Sequence, residues 1–235
     1  MPCTLDYLLQ LGVDVEDAVE LIVVTHWHDD HISGISTVLD YCKSAKLSIS
    51  VALRLEEFLR LVALYGSASV VNNSGLEELV KVFEILEDRK IHGVRFNSPQ
   101  LAHANSRVFL EELSVSGKPV QTTVFALSPS DAAVLRAQLA FSQLLQSTGQ
   151  RNRIGSPSAN EVCVALLVQI GNHTILLGSD LQTTSDPATG WSVIVEESTV
   201  LSHKASVFKI PHHGSKNAHH ESVWSELLIS APFAI

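Results

Sequence analysis

The residues best equipped for chemistry are seven in a row, Thr25-His26-Trp27-His28-Asp29-Asp30-His31. They read T-H-x-H-x-D-H and directly follow an apolar run, Leu21-Ile22-Val23-Val24. Imidazole nitrogens and carboxylate oxygens packed this densely are donors suited to zinc, manganese or iron. In extended backbone, side chains two apart share a face, so His26 and His28 point the same way. Asp30 and His31 fall where the loop turns into the next helix, a position from which they address a second metal beside the first. A strand-end loop with alternating ligands is a good way to hold two metals roughly 3.5–4 Å apart. A lone H-x-H reads as a polar surface turn; the full pattern directly after a strand does not.

The elements that must position these residues alternate between helix and strand. Residues 5–18 have helical spacing, with Leu5, Leu8, Leu9 and Leu11 on one side and Gly12 as the stop. Residues 19–25 form the strand that delivers the loop, and Ile32, Ile35, Val38 and Leu39 mark a helix beginning inside or just after it. That helix N-terminus would favour an anionic group at the site. Residues 47–53 read as a strand and 56–65 as a short helix. Ser74-Gly75-Leu76-Glu77 has the form of a capping box and opens a helix to about Lys90. Residues 91–119 lack a clear period and read as loop and edge strand. A strand at 121–127 leads through Ser128-Pro129-Ser130-Asp131 into a helix over 132–146, with an apolar stripe of Val134, Leu135, Leu139, Leu144 and Leu145. Residues 149–159 read as a flexible loop. Residues 162–170 and 173–178 pair as a hairpin about Gly171-Asn172. The last strand spans 206–210, followed by a helix through Trp224, Leu227 and Leu228 that His219 and His220 cap or cover as surface residues. The alternation predicts α/β layers.

Three of these strands end in metal-competent residues. The first ends in His26, His28, Asp30 and His31, the second in Gly178-Ser179-Asp180, and the third in Pro211-His212-His213-Gly214-Ser215. Sites in layered α/β folds form where strand ends converge on one edge. Three matching strand ends therefore predict one site.

These motifs resemble the metallo-β-lactamase fold of metal-dependent hydrolases, and most of all the hydrolase domains of ComEC-type DNA-uptake proteins. There a T-H-x-H-x-D-H strand end, an L-L-x-G-D strand end and a K-x-x-H-H-G-S strand end recur in this order. The corresponding stretches here are Thr25 to His31, Ile175 to Asp180 and Lys209 to Ser215, and Asn160-Glu161 resembles a polar pair ahead of the equivalent strand. The resemblance implies a single domain, a four-layer αββα sandwich holding two divalent metal ions, zinc foremost, with manganese or iron as alternatives. It implies that His26 and His28 bind one metal, that Asp30 and His31 bind the second, and that Asp180 bridges them. One histidine of the 212/213 pair would complete the second site, with a slight preference for His212. His213 would then contact substrate or leaving group, and Asp30 would also orient the water. The implied nucleophile is a metal-bridging water with its pKa lowered toward neutrality.

The chain departs from that family in two respects. No histidine between the first motif and Asp180 lies in a recognisable motif; His92, His103 and His173 are available, and His173 starts its strand at the end opposite Asp180. The family's N-terminal strands also have no counterpart, and a further strand would be expected after Pro232-Phe233-Ala234-Ile235. A domain incomplete at both ends is the expectation, with exposed strand edges that favour a homodimer.

Composition narrows the function classes. With 46% hydrophobic and 17% charged residues in 235, the chain is a well-buried globular protein. No apolar run approaches the roughly 20 residues that span a bilayer, and the first residues lack the pattern of a secretory signal. A cytoplasmic protein without membrane partners is expected. Three widely spaced cysteines argue against a disulfide framework, and Cys163 reads as a small core residue. A net charge of −9 argues against a broad nucleic-acid-binding face, though bound cations would reverse the field locally. Trp27 reads as packing, and Lys209 and Lys216 as phosphate attractors or solvated charges. The leading expectation is a hydrolase of phosphodiesters or other phosphate esters, on a small molecule or a nucleic acid. The alternatives are a β-lactam, thioester or lactone hydrolase, a di-iron redox protein of the same fold, or a non-catalytic metal-stabilised interaction module. Specificity is expected in the loops at 66–75, 91–119 and 149–160.

Overall fold

The computed structural model describes residues 1–65, 74–93, 98–146 and 156–235. The chain opens with α1 (Cys3–Gln10), ended by Gly12 at φ +74°, where the amides of Gly12 and Val13 reach back to the carbonyls of Leu9 and Leu8. A separate short helix, α2 (Val15–Ala18), follows, capped by Asp14, whose carboxylate accepts from the amide of Glu16. Of the four leucines expected on one side, Leu5 is buried and Leu8 packs on the core, whereas Leu9 and Leu11 are exposed.

Next come β1 (Leu21–Val24), α3 (Asp29–Ile32) and α4 (Ile35–Tyr41). The expected helix is thus broken in two at Gly34, which takes φ +82° and sits where an added Cβ would lie 2.8 Å from Pro2 Cγ. β2 (Lys46–Ser50) passes into a 3₁₀ turn over Val51–Arg54 rather than continuing to Leu53. α5 (Glu56–Tyr65), α6 (Ser74–His92) and β3 (Gln100–Ala102) complete the first half.

β4 (Ser106–Val115), an edge strand as residues 91–119 were expected to hold, pairs in a long hairpin with β5 (Lys118–Ala126), which extends the expected strand at 121–127 back to Lys118. Its two-residue turn, Ser116-Gly117, has positive φ at both positions, the conformation that suits tight hairpins. The outer half of β4 is exposed on both faces, so it carries none of the apolar–polar alternation that marks a half-buried strand. α7 (Asp131–Gln146) presents a different face from the leucine stripe. Ala133, Ala137 and Phe141 are buried, while Leu135 and Leu139 are more than half exposed. α8 (Ser156–Glu161) replaces the end of the expected loop, whose residues 149–155 lie outside the described ones. β6 (Leu166–Ile170), β7 (His173–Leu177), α9 (Gly190–Glu197), β8 (Ala205–Lys209) and β9 (Leu228–Ala234) follow. Leu228 therefore begins a strand rather than continuing a helix; a wide π-type turn over Val223–Leu227 precedes it.

The strands build two sheets. β1-β2-β3 is parallel; β4-β5-β6-β7-β8-β9 is antiparallel from β4 to β7 and parallel from β7 to β9. Alternation along each strand sorts side chains into three cores. Ile22, Val24, Leu47 and Ile49 join the helices α1 and α4–α7 on one face of the first sheet. Leu21 and Val23 meet Val108, Val124 and Leu166 between the sheets. Leu167, Leu176 and Phe208 pack with Trp191 and Val223 on the far face of the second. Burying such cores contributes about 25 cal/mol per Å² of apolar surface removed from water. Two serines of β2 are buried too, but satisfied: Ser48 and Ser50 donate to the carbonyls of Gln100 and Val162. Among the described residues no helix is long and apolar enough to cross a membrane.

Candidate metal centre

β1 stops at Val24, and the next four residues stay extended until α3 begins at Asp29. Alternation then does the sorting. His26 and His28 turn to one side with ring centroids 4.8 Å apart, and Trp27 turns to the other. The Trp27 ring is buried against Phe58 at 4.8 Å and Phe141 at 5.8 Å, so it packs the core as expected and anchors the loop from behind. A second anchor was not foreseen. Asp29 accepts a 2.7 Å hydrogen bond from the amide of Gly75, capping the first turn of α6 from within the motif.

The ends of β7 and β8 are stitched to each other. Gly178 donates to the carbonyl of Lys209, and the His212 amide donates to the carbonyl of Ser179. Gly178 is required there, because a Cβ would come within 2.9 Å of that carbonyl oxygen and 2.8 Å of Pro211 Cβ. Ser179, His212 and His213 take φ of 48°, 48° and 53°. This left-handed region costs an ordinary residue roughly 1–2 kcal/mol, and such strain concentrates at functional sites.

Six donors gather into two groups, one comprising His26, His28 and Asp180 and the other Asp30, His31 and His213. Within each, the nearest ligand atoms lie within 4.8 Å of one another. His31 links the groups, with Nε2 2.9 Å from Asp180 Oδ1 and 3.5 Å from Asp30 Oδ2. Asp180 Oδ2 is 3.8 Å from His26 Nε2, and Asp30 Oδ2 is 2.9 Å from His213 Nε2. His26 and Asp180 are buried, while the second group opens to solvent.

The arrangement fits metal ions on an observation of its own. His26 Nε2 and Asp180 Oδ1 are buried without a hydrogen-bond partner. Asp180 Oδ1 lies close to His31 Nε2 without hydrogen-bond alignment, as atoms aimed at a shared third point do. Leaving such atoms unpaired costs about 1–3 kcal/mol each, more for a charged group. Burial, reinforced by the neighbouring His31 and His28, pushes the His26 pKa down to about 3, so the ring is neutral with a lone pair to offer. At Asp30 burial pushes upward, but His31, a backbone amide and His213 outweigh it and hold the carboxyl below its ordinary value.

The structure thus brings together five of the six expected ligands and places His213, rather than His212, in the second group. The left-handed backbone explains the exchange: it swings the two rings apart to 6.2 Å and directs His213 at Asp30. His212 instead meets three carboxamides, none of which was singled out for this role. Its Nδ1 is 3.0 Å from Asn217 Oδ1 and 3.3 Å from Gln182 Nε2, and its Nε2 is 3.3 Å from Asn160 Nδ2. Of these, only Asn160 carried a sequence signal, as half of the polar pair before its strand. His92, His103 and His173 stand in neither group; all three are exposed, His173 at the opposite end of β7. His219 is exposed beside Glu221, whereas His220 is half-buried against Ser192 of α9. Cys163 is a core thiol packed against Ser179 and Asp180, and burial pushes it up to about 12. Lys209 and Lys216 are exposed. Residues 66–73, 94–97 and 149–155 of the three loops expected to set specificity lie outside the described residues. No protein-family model matches the chain, and no curated protein matches it.

Proposed function

We propose that the chain is a metal-dependent hydrolase of the metallo-β-lactamase type that cleaves phosphate esters, phosphodiesters foremost. One observation carries the proposal: two three-donor groups, joined through His31 and Asp180, sit where β1, β7 and β8 end. The helix–sheet–sheet–helix order of the cores supports the four-layer αββα reading. His26, His28 and Asp180 would hold one divalent ion and Asp30, His31 and His213 the other, with zinc foremost and manganese or iron accepted by the same donors. Such ions supply Lewis acidity, which eases deprotonation of water and draws charge from a phosphoryl oxygen.

The chain's own residues do the rest. Neutral His26 needs no deprotonation before ligation. Asp30 Oδ2 and His213 Nε2, 2.9 Å apart, are close enough to turn onto one ion together. His212, left out of both groups, is held on both ring nitrogens by carboxamides beside the site. The exposed second group, with Lys209 and Lys216 flanking the histidine pair in sequence, suits an anionic substrate arriving from solvent.

Elemental analysis of protein purified without a His-tag, paired with hydrolysis of bis(4-nitrophenyl) phosphate, tests the proposal. Expected are about two metal equivalents per chain, and turnover that His28→Ala and Asp180→Asn abolish while far-UV circular dichroism stays unchanged. Retained turnover in His28→Ala, or a folded protein that refuses added zinc, manganese and iron, refutes it.

A further inference from the structure

The carboxamide cluster around His212 has a direction. Nδ1 lies 3.0 Å from Asn217 Oδ1, an acceptor, and 3.3 Å from Gln182 Nε2, a donor; the shorter contact assigns the ring proton to Nδ1. Nε2 then holds a lone pair, and Asn160 turns its NH₂ toward it at 3.3 Å. Loops are held in register around the cluster: Thr183 takes the carbonyls of both Asn217 and His219. The hydrogen-bonded chain Asn217–His212–Asn160 therefore ends on Asn160 Oδ1, an acceptor. That atom is buried and has no partner among the described residues, in a side chain only 4% exposed. A buried acceptor without a donor is costly, and the ring it is coupled to neighbours the second donor group.

We propose that Asn160 is a specificity-determining residue whose Oδ1 accepts a hydrogen bond from a hydroxyl of the substrate, beside the phosphoryl group. His212 and Asn217 are positioning residues that set which way the Asn160 carboxamide faces. The inference rests on the phosphoester reading above and narrows its substrate class to phosphate esters of hydroxyl-bearing alcohols, such as polyols, sugars or nucleosides. A site built to pair with a hydroxyl discriminates against an analogue without one, since the buried acceptor is then left unpaired.

A matched pair of probes isolates the contact. Glycerol 3-phosphate and n-propyl phosphate share a three-carbon chain and differ in the hydroxyls. On the metal-loaded protein, isothermal titration should show roughly tenfold tighter binding of glycerol 3-phosphate, the yield of one hydrogen bond of about 1.4 kcal/mol. Asn160→Ala should erase the preference with metal content and melting temperature retained, and Asn160→Asp, which keeps an acceptor, should restore part of it. Nitrogen-15 NMR should show His212 as the Nδ1–H tautomer, lost in Asn217→Leu and retained in Asn217→Asp. Equal binding of the two phosphates, or a preference that survives Asn160→Ala, overturns the hydroxyl contact alone and leaves water as the occupant. Absence of binding by either phosphate removes both this contact and the phosphoester reading.

Discussion

Gly75→Ala sets helix propensity against a single close approach. In an open helix this exchange stabilises by about 1 kcal/mol. Here the new Cβ would lie 2.0 Å from the carbonyl oxygen of Trp27 and 3.2 Å from Asp29 Oδ1. The first distance is some 1.5 Å short of the roughly 3.5 Å at which non-bonded atoms rest. The obstacle is backbone held by the buried Trp27 ring, so α6 and the loop must part. Such overpacking costs about 1–3 kcal/mol, and separation also removes the cap that Asp29 gives the Gly75 amide, about 0.5–2 kcal/mol. Set against the propensity gain, the net is a loss of roughly 0.5–4 kcal/mol, which for a domain of this size lowers Tm by roughly 1–16 °C. Thermal unfolding by circular dichroism, with EDTA and then with zinc, reads both consequences. On the metal-binding proposal, the gain in Tm from zinc should also shrink, because the displaced loop carries His26 and His28 on either side of Trp27. Asp29→Ala isolates the capping part and should cost less. A Gly75→Ala variant that melts at or above the parent temperature refutes the reasoning, since propensity would then have won.

Three further outcomes follow from burial and charge. Phe141→Ala should destabilise by about 3–5 kcal/mol and Leu139→Ala by less than about 1 kcal/mol, measured by urea unfolding, because the first is buried and the second faces water. In EDTA the stability contributed by neutral His26 is fully present above pH 6.5, its ordinary value, and is lost as pH falls toward about 3. The slope is at most ~1.4 kcal/mol per pH unit; urea unfolding across that window should be flatter for His26→Gln, and parallel profiles would contradict a neutral buried ring. Under native conditions at pH 8, a thiol reagent should label Cys3 rapidly and leave Cys42 and Cys163 unreacted until denaturant is added, because burial raises both thiols and shields them.

The His-rich loop after β1, the helix over 56–65 and the hairpin about Gly171 were legible because each rests on local chemistry: alternation, periodicity or a turn. The face of α7 was not. Two alanines let the helix approach closely and Phe141 fills the space beyond; of the expected stripe, Leu144 and Leu145 pack on the core while Leu135 and Leu139 stay in water. The length of the β4–β5 hairpin was not legible, because the outer half of β4 is exposed on both faces and carries no alternation. At the site, donor types and strand ends could be read directly, but the division of labour between His212 and His213 could not. It depends on two successive left-handed residues and on carboxamides brought in from residues 160, 182 and 217, a tertiary arrangement without a local signature.

The hydrogen bond between Asp30 and His213 joins residues 183 positions apart. Closing a loop of that length costs roughly 4–5 kcal/mol of chain entropy, recovered only once both sheets are in place. During synthesis at roughly 5–20 residues per second, the first four donors wait about 10–40 s before the last one is added. A nascent chain therefore displays three imidazoles and a carboxylate, four of the six donors, before its second sheet is finished, and the two donor groups close only in the final stage of its assembly.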